Sequence, residues 1–352
     1  MAERRPTRQV RVGSVIIGGG NPISIQSMTT TDTRDQRATL EQIKRLAEAG
    51  SEIVRLAVPD RAAAANLEFL VKNSPVPLVA DIHFDYRLAL TALDAGIAKL
   101  RINPGNIGAE ERVQAVTRQA KKQNIPIRIG VNAGSLEPDI LKKHQGPTAA
   151  ALVESATRHI KLLEEADFQE IVVSLKASAV PTTIRAYQLL AQQCQYPLHI
   201  GITEGGTWYK GSIRSAVGLG VLLWEGLGDT LRVSLTGDPI REVAVARDIL
   251  EALELRRFGP IVVSCPTCGR CRINLEELAL EVEKMAAKIA KPLRIAVMGC
   301  AVNGPGEARE ADLGVAGGNG EGLIFSKGAI IRKVPQDQII PALREELLKF
   351  SK

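Results

Sequence analysis

Aromatic side chains are scarce in this 352-residue chain: Phe, Tyr and Trp together supply 3% of it. Val, Ile, Leu and Ala must therefore fill the interior, and few stacking platforms are left for nucleic acid. The net charge of +6 does not restore that reading. Lys and Arg are mixed with Glu and Asp along most helical stretches, as on solvated faces. No apolar run approaches the ~20 residues that a membrane span requires. The start, Met1-Ala-Glu-Arg-Arg-Pro-Thr-Arg8, is polar, with no apolar signal region after it. Neither nucleic acid nor membrane is an expected partner. The expected compartment is the cytoplasm, where thiols stay reduced. There is no internal repeat, low-complexity linker, Walker motif or dinucleotide fingerprint, and the glycines of Gly314–Gly322 read as turns between short strands.

Cysteine is also sparse, five in all, but four of the five fall in the last quarter of the chain. Cys265-Pro-Thr-Cys268-Gly-Arg-Cys271 is answered downstream by Gly299-Cys300-Ala-Val-Asn303-Gly-Pro-Gly-Glu307. Thiolates at this spacing can reach one metal centre, either a closed zinc site or an iron–sulfur cluster. Cys265, Cys268 and Cys300 supply three donors, with Cys271 or Glu307 as the fourth. A zinc ribbon offers two paired knuckles, whereas the second half here is a lone cysteine. The ferredoxin run C-x₂-C-x₂-C-x₃-C-P is matched three times and then fails at Leu275. Three thiolates and a carboxylate suit a cluster with one exchangeable iron position.

The first three quarters alternate strand-like and helix-like stretches. After a β segment at Val10–Ile17 come eight apolar runs: Ile23–Met28, Ile53–Ala57, Leu78–Ile82, Ala98–Ile102, Ile127–Val131, Ile171–Leu175, Leu198–Ile202 and Leu231–Leu235. Leu40–Ala49 and Glu110–Gln123 are amphipathic, and Gly50 and Gly96 stand where helices end. Eight alternations predict an α/β fold, a (β/α)₈ TIM-type barrel over residues 1–257. Residues 258–352 change rhythm and predict a small α/β domain. Its strands are Ile261–Ser264, Arg294–Met298, Leu313–Ala316, Leu323–Phe325 and Ala329–Val334, and its helices are Leu275–Ala290 and Asp337–Phe350. Both cysteine elements fall at strand ends.

Residues two apart on a strand share a face. The carboxyl ends of the eight runs then present Gln26 and Met28, Arg55, Asp81 and His83, Arg101 and Asn103, Arg128 and Asn132, Ser174 and Lys176, Glu204, and Arg232 with Ser234. Five cations opposed by Asp81 and Glu204 imply an anion among them, and the arginine fork fits a compact phosphate ester. Glu204 is the candidate proton donor, with His83 or Asp81 orienting it. Lys176 alone keeps a second reading open, a phosphate-dependent barrel enzyme of aldolase or pterin-binding type with a structural metal.

Six motifs sharpen the choice: Ile25-Gln-Ser-Met-Thr29, Ala80-Asp-Ile-His-Phe84, Arg101-Ile-Asn-Pro-Gly-Asn106, Ile129-Gly-Val-Asn-Ala-Gly-Ser135, Gly201-Ile-Thr-Glu204 and the two cysteine elements taken as one. With them the chain resembles the (E)-4-hydroxy-3-methylbut-2-enyl diphosphate synthases, iron–sulfur enzymes of the non-mevalonate isoprenoid pathway, in their two-domain form. The resemblance implies a 4Fe-4S cluster on Cys265, Cys268, Cys300 and Glu307, and Asn303 among the substrate-binding residues. It also implies reductive opening of 2-C-methyl-D-erythritol 2,4-cyclodiphosphate with electrons from ferredoxin or flavodoxin. Chain reach adds one expectation. A helix from Pro239 to Leu255 runs roughly 25 Å back down the barrel, and Arg256–Gly259 spans at most ~14 Å. The cysteines therefore should not serve their own barrel's mouth, and a homodimer with sites shared between chains is expected, as the resemblance also implies.

Overall fold

The computed structural model describes residues 2–103, 107, 110–289, 291–300 and 309–350. The chain divides into two compact units, Met1–Arg256 and Arg257–Lys352.

In the first unit, Val10–Ile17 is a hairpin rather than one segment. Strands β1 (Val10–Val12) and β2 (Val15–Ile17) pair antiparallel across Gly13, whose φ is 58°. Val12 and Ile17 pack against Ile53 and Val79, so the hairpin seals the end at which the barrel strands begin. Eight strands follow: β3 (Ser24–Met28), β4 (Ile53–Ala57), β5 (Leu78–Asp81), β6 (Lys99–Ile102), β7 (Ile127–Asn132), β8 (Ile171–Lys176), β9 (His199–Ile200) and β10 (Thr230–Leu231). They run parallel in the order β8-β7-β6-β5-β4-β3-β10-β9, and a single bridge between Val173 and Leu198 joins the two ends. The expected barrel is present.

Its last two strands are shorter than their apolar runs suggest. Past Arg232 the backbone leaves the ladder because the Leu235 N–H donates to the Glu242 carboxylate at 3.0 Å. The helices lie outside the sheet and bury one stripe each. Gln36–Glu48, for example, is capped by the Asp35 side chain and buries Thr39, Ile43 and Leu46. Gly50 and Gly96 follow their helices at φ 107° and 78°. Among the described residues no helix is long and apolar enough to cross a membrane.

The lumen of this barrel is polar, where bulky aliphatic layers would be the usual filling. Ser24, Gln26, Lys99, Arg128, Ser174, His199 and Thr230 are all fully or almost fully buried. The apolar packing lies between sheet and helices instead.

The second unit is a five-stranded sheet in sequence order: β11 (Ile261–Ser264), β12 (Arg294–Met298), β13 (Leu313–Gly317), β14 (Glu321–Ser326) and β15 (Ala329–Pro335). The first three strands are parallel and the last two antiparallel. Helices Leu275–Ala286 and Ile339–Leu348 cover one face, where Leu278, Val282, Leu343 and Leu347 meet Ile295, Val297, Val315 and Ile324. The first of these helices stops short of the expected Ala290. The second starts at Ile339 rather than Asp337, after a tight turn at Gln336–Gln338. Because β11 and β12 are parallel, their carboxyl ends share one edge, and that edge carries both cysteine elements.

Candidate active site

Strand alternation delivers a chain of ion pairs to the carboxyl end of the barrel. Arg101 donates through Nη1 to Asp81 Oδ1 at 3.0 Å and through Nη2 to the Gly130 carbonyl at 3.1 Å. A side chain at position 130 would not permit this, since a Cβ there would lie 2.4 Å from Arg101 Nε. Arg55 Nε is 3.6 Å from the other Asp81 oxygen, and its guanidinium rests on the Met28 sulfur at 2.8–3.0 Å. His83 Nε2 stands 3.5 Å from Asp81 and 3.2 Å from Arg101 Nη1. Asp81, His83, Arg55 and Arg101 thus form one network, as the motif spacing predicts.

Arg128 donates to Ser174 Oγ at 2.5 Å, while its Nε and Nη2 find no partner among the described residues. Arg101 Nε is likewise unpaired. Lys176 lies next to Asn132 in register, and its ammonium packs close to Gly201. Asn103 is buried just past β6, and Ser234 is half-buried three residues beyond the end of β10.

Burial works against three of the mouth cations, Arg55, Lys176 and Arg128. It lowers Arg55 to about 10, with Arg232 and Arg101 adding to the fall and Asp81 opposing it. Lys176 is pushed well below its ordinary range by burial and then by Arg55 and Arg128. Arg128 falls for the same reasons, burial first and then Arg55 and Arg101. For Asp81, burial favours the neutral acid, but Arg55, the His83 hydrogen bond and Arg101 outweigh it and hold the carboxyl far below the usual range. A site with this excess of buried positive charge is relieved by a polyanion.

The cysteine edge of the second unit is looser. All cysteines are free thiols. Cys300 is buried, Cys265 and Cys271 are half-buried and Cys268 is exposed. The Gly299 N–H donates to Cys265 Sγ at 3.2 Å, and Arg272 N–H donates to the Gly299 carbonyl at 3.1 Å. A Cβ on Gly299 would come within 2.6 Å of Cys271 Sγ, so the glycine leaves room for thiols from both elements. This donor set suits a soft metal centre. Among the described residues no three His, Cys, Asp or Glu close on one point. Asn303 and Glu307 lie outside the described residues.

The family model described as the GcpE TIM-barrel domain matches residues 7–247, and that of the GcpE protein C-terminal domain matches residues 261–349. The chain belongs to the GcpE family. Among its relatives is the 4-hydroxy-3-methylbut-2-en-1-yl diphosphate synthase (flavodoxin) of Geobacter sulfurreducens, 60% identical over 98% of both chains. The enzyme of the same name from Maridesulfovibrio salexigens is 58% identical over 100% of this chain and 99% of its own. Solved structures share the barrel at much lower identity. Dihydropteroate synthase from Stenotrophomonas maltophilia superimposes with a TM-score of 0.53 at 13% identity, over 70% of this chain and 97% of that one. N-acetylneuraminic acid synthetase from Leptospira borgpetersenii does so at 0.51 and 11%, over 80% and 98%. These two likenesses concern the fold alone.

Two features of the GcpE barrel depart from the reading of its sequence. The carboxylate facing Arg232 is Glu242, which reaches in from the helix Ile240–Ala252 and accepts from Arg232 Nη2 through both oxygens at 3.2 Å. Glu204 instead sits in the turn after β9 with φ 53° and an exposed side chain, joined by no described contact to the buried cations. Glu242 had a signal: it shares a helical stripe with Ala246 and Ile249, where an apolar residue belongs. Below the mouth, Lys99 has no accessible surface and meets Gln26 Oε1 at 3.4 Å across the lumen. His199 is equally buried, with neither ring nitrogen paired among the described residues. Extending the alternation of Arg101 one step down β6 would have found Lys99.

Proposed function

We propose that this chain converts 2-C-methyl-D-erythritol 2,4-cyclodiphosphate into (E)-4-hydroxy-3-methylbut-2-enyl diphosphate in isoprenoid biosynthesis. Two electrons and two protons enter, the cyclic diphosphate opens, and one oxygen leaves as water. The observation that carries this reading is the barrel mouth itself, with Arg55, Arg101, Arg128, Lys176 and Arg232 gathered around the carboxylates Asp81 and Glu242. Such an excess of buried positive charge suits a diphosphate, and full-length relatives carry a matching name. The aldolase or pterin-type alternative is not favoured by those relatives.

The arginine forks and Lys176 would grip the diphosphate oxygens, with Asn103, Asn132, Ser174, Ser234 and Asn303 supplying hydrogen bonds around it. The unpaired Nε and Nη2 of Arg128 are available for this. Asp81 keeps Arg55 and Arg101 oriented. Glu204, exposed at the rim, is the candidate proton donor, and His83 and Asp81 orient the reacting group. A 4Fe-4S cluster on Cys265, Cys268, Cys300 and Glu307, with Cys271 as competing fourth donor, would supply the electrons when bound. Flavodoxin is the favoured external donor because the relatives' names carry it, with ferredoxin the other possibility. The reading puts the enzyme in the cytoplasm as a homodimer whose sites are shared between chains, the barrel of one serving the cysteines of the other.

Anaerobic purification tests the cluster. Iron content and visible absorbance should both report one cluster per chain, and a colourless zinc protein would defeat the reading. Sharing is tested by mixing Arg55→Ala with Cys265→Ala, each inactive alone, under subunit exchange. Activity should return in hybrids, and confirmed hybrids that stay inactive would put the site within one chain.

A further inference from the structure

Three adjacent strands bring polar side chains to one level of the lower lumen. Thr230 on β10 is in register with Ser24 on β3 and with His199 on β9. None of the three is more than 1% exposed. Gln26, one step nearer the mouth on β3, meets the fully buried Lys99 from across the lumen, with Nζ at 3.4 Å from Oε1. The hairpin side chains Val12 and Ile17 close the lumen below, against Ile53 and Val79. The result is a polar chamber with an apolar floor, set apart from the mouth where the ion pairs lie. Its polar atoms are not paired with one another. Ser24 Oγ, Thr230 Oγ1, Gln26 Nε2 and both ring nitrogens of His199 find no partner among the described residues. Buried polar atoms ordinarily have one, from the protein or from something it holds. Ser24 and Thr230 also stand where a barrel layer usually carries Val, Ile or Leu, so the chamber keeps volume that the chain itself does not fill.

We infer that this chamber binds a halide ion, held between Lys99, Gln26 and the level of Ser24, Thr230 and His199. Two properties of the chamber select an anion over water. The first is its excess of donors. An ammonium donates and cannot accept, and the amide nitrogen, the imidazole N–H and the two hydroxyls add to it. A water accepting from these groups brings protons of its own that need acceptors, whereas a halide only accepts. The second is charge. The charges that act on Lys99 are Arg128 and Arg55, and those that act on His199 are Arg128, Lys176, Lys99 and Arg55. All are cations. A buried cation is tolerated when it is paired, and an ion in the chamber supplies the negative charge that the surrounding side chains do not. The mouth above is relieved by its own ligand, whereas the chamber beneath it is closed and needs a resident one.

Crystals grown in bromide and measured at the bromine absorption edge should show an anomalous peak between Lys99 and His199. In solution, the full-length protein should need more urea to unfold in sodium bromide than in sodium gluconate of equal ionic strength, with a gain that saturates as bromide rises. Lys99→Met should remove both the peak and the saturating gain. Thr230→Val keeps the shape and takes away one hydroxyl, so it should weaken the apparent bromide affinity by about two- to tenfold, the worth of one neutral hydrogen bond. It carries the test should Lys99→Met fail to fold. A chamber without a bromide peak overturns the inference, whether it holds water or nothing. So does a peak confined to the mouth among Arg55, Arg101 and Arg128, or a saturating gain that Lys99→Met or Thr230→Val leaves unchanged. None of these readouts involves turnover, so the outcome is separate from whether the mouth takes a diphosphate.

Discussion

The barrel mouth and the cysteine edge handle their functional groups in opposite ways. In the mouth, the guanidiniums are fixed before any ligand arrives, buried in Arg101 and Arg128 and half-buried in Arg232: Arg101 by Asp81 and Gly130, Arg232 by Glu242, Arg128 by Ser174. At the cysteine edge, Cys268 is exposed and Cys265 and Cys271 are only half-buried, the first accepting from the Gly299 N–H and the second donating to the Ile273 carbonyl. The difference follows from what each partner contributes. A diphosphate gives diffuse electrostatic attraction, so the protein must bear the cost of assembling like charges while it folds. A metal centre forms strong directional bonds to thiolates and can order its own ligands.

If that contrast is right, the largest effects come from the cysteines. Cys265→Ala, Cys268→Ala or Cys300→Ala should abolish iron content and activity, while Cys271→Ala keeps both, read by anaerobic iron analysis. Loss of the cluster in Cys271→Ala as complete as in Cys265→Ala would make the centre four-thiolate and Glu307 a bystander. Removing the cluster should also lower the melting temperature of the second unit and leave the barrel's transition in place.

Smaller effects belong to the mouth. Gly130→Ala should drive Arg101 off its two partners. Arg55→Lys, Arg101→Lys or Arg128→Lys should remove a fork. Each should weaken binding of the cyclic diphosphate by about 1–3 kcal/mol, with cluster content unchanged. Wild-type affinity in all three lysine variants would take diphosphate recognition away from these residues.

One effect runs the other way. Lys99 is held well below its ordinary range by burial, then Arg128 and Arg55. The unfolded chain therefore binds its proton at pH values where the folded chain does not. Stability should accordingly rise with pH from the lowered value towards about 10.4. Lys99→Met should flatten that rise and stabilise the ligand-free protein by about 1–4 kcal/mol, measured by urea unfolding at pH 7 and 9. Asp81 has a dependence of the same sign, in an acid window. Its carboxyl is depressed, so its ion pairs persist through neutral pH and are lost only as pH falls through the folded value. Asp81→Asn should be least stable relative to wild type near neutrality and approach it in strong acid.

Strand alternation made most of the mouth legible, because period two forces Asp81 and His83, or Arg101 and Asn103, onto one side. The parallel pairing of β11 with β12 was implicit in the two cysteine elements at strand ends. Glu242 escaped because it arrives from a helix, and the partner of a strand residue cannot be found by counting along strands. The short β9 and β10 escaped for a related reason: hydrophobicity marks which residues are buried, and Val233 is buried just beyond the end of its ladder. Glu204 looked like a mouth residue by position, but the positive φ of its turn carries it to the exposed rim.

Anaerobic turnover of 2-C-methyl-D-erythritol 2,4-cyclodiphosphate by the iron-loaded chain with reduced flavodoxin tests the account most directly. It predicts (E)-4-hydroxy-3-methylbut-2-enyl diphosphate, with two electrons consumed for each molecule formed and none formed by Cys265→Ala. A fully iron-loaded protein that binds the cyclic diphosphate and returns it unchanged, with flavodoxin or with a chemical reductant, would contradict it.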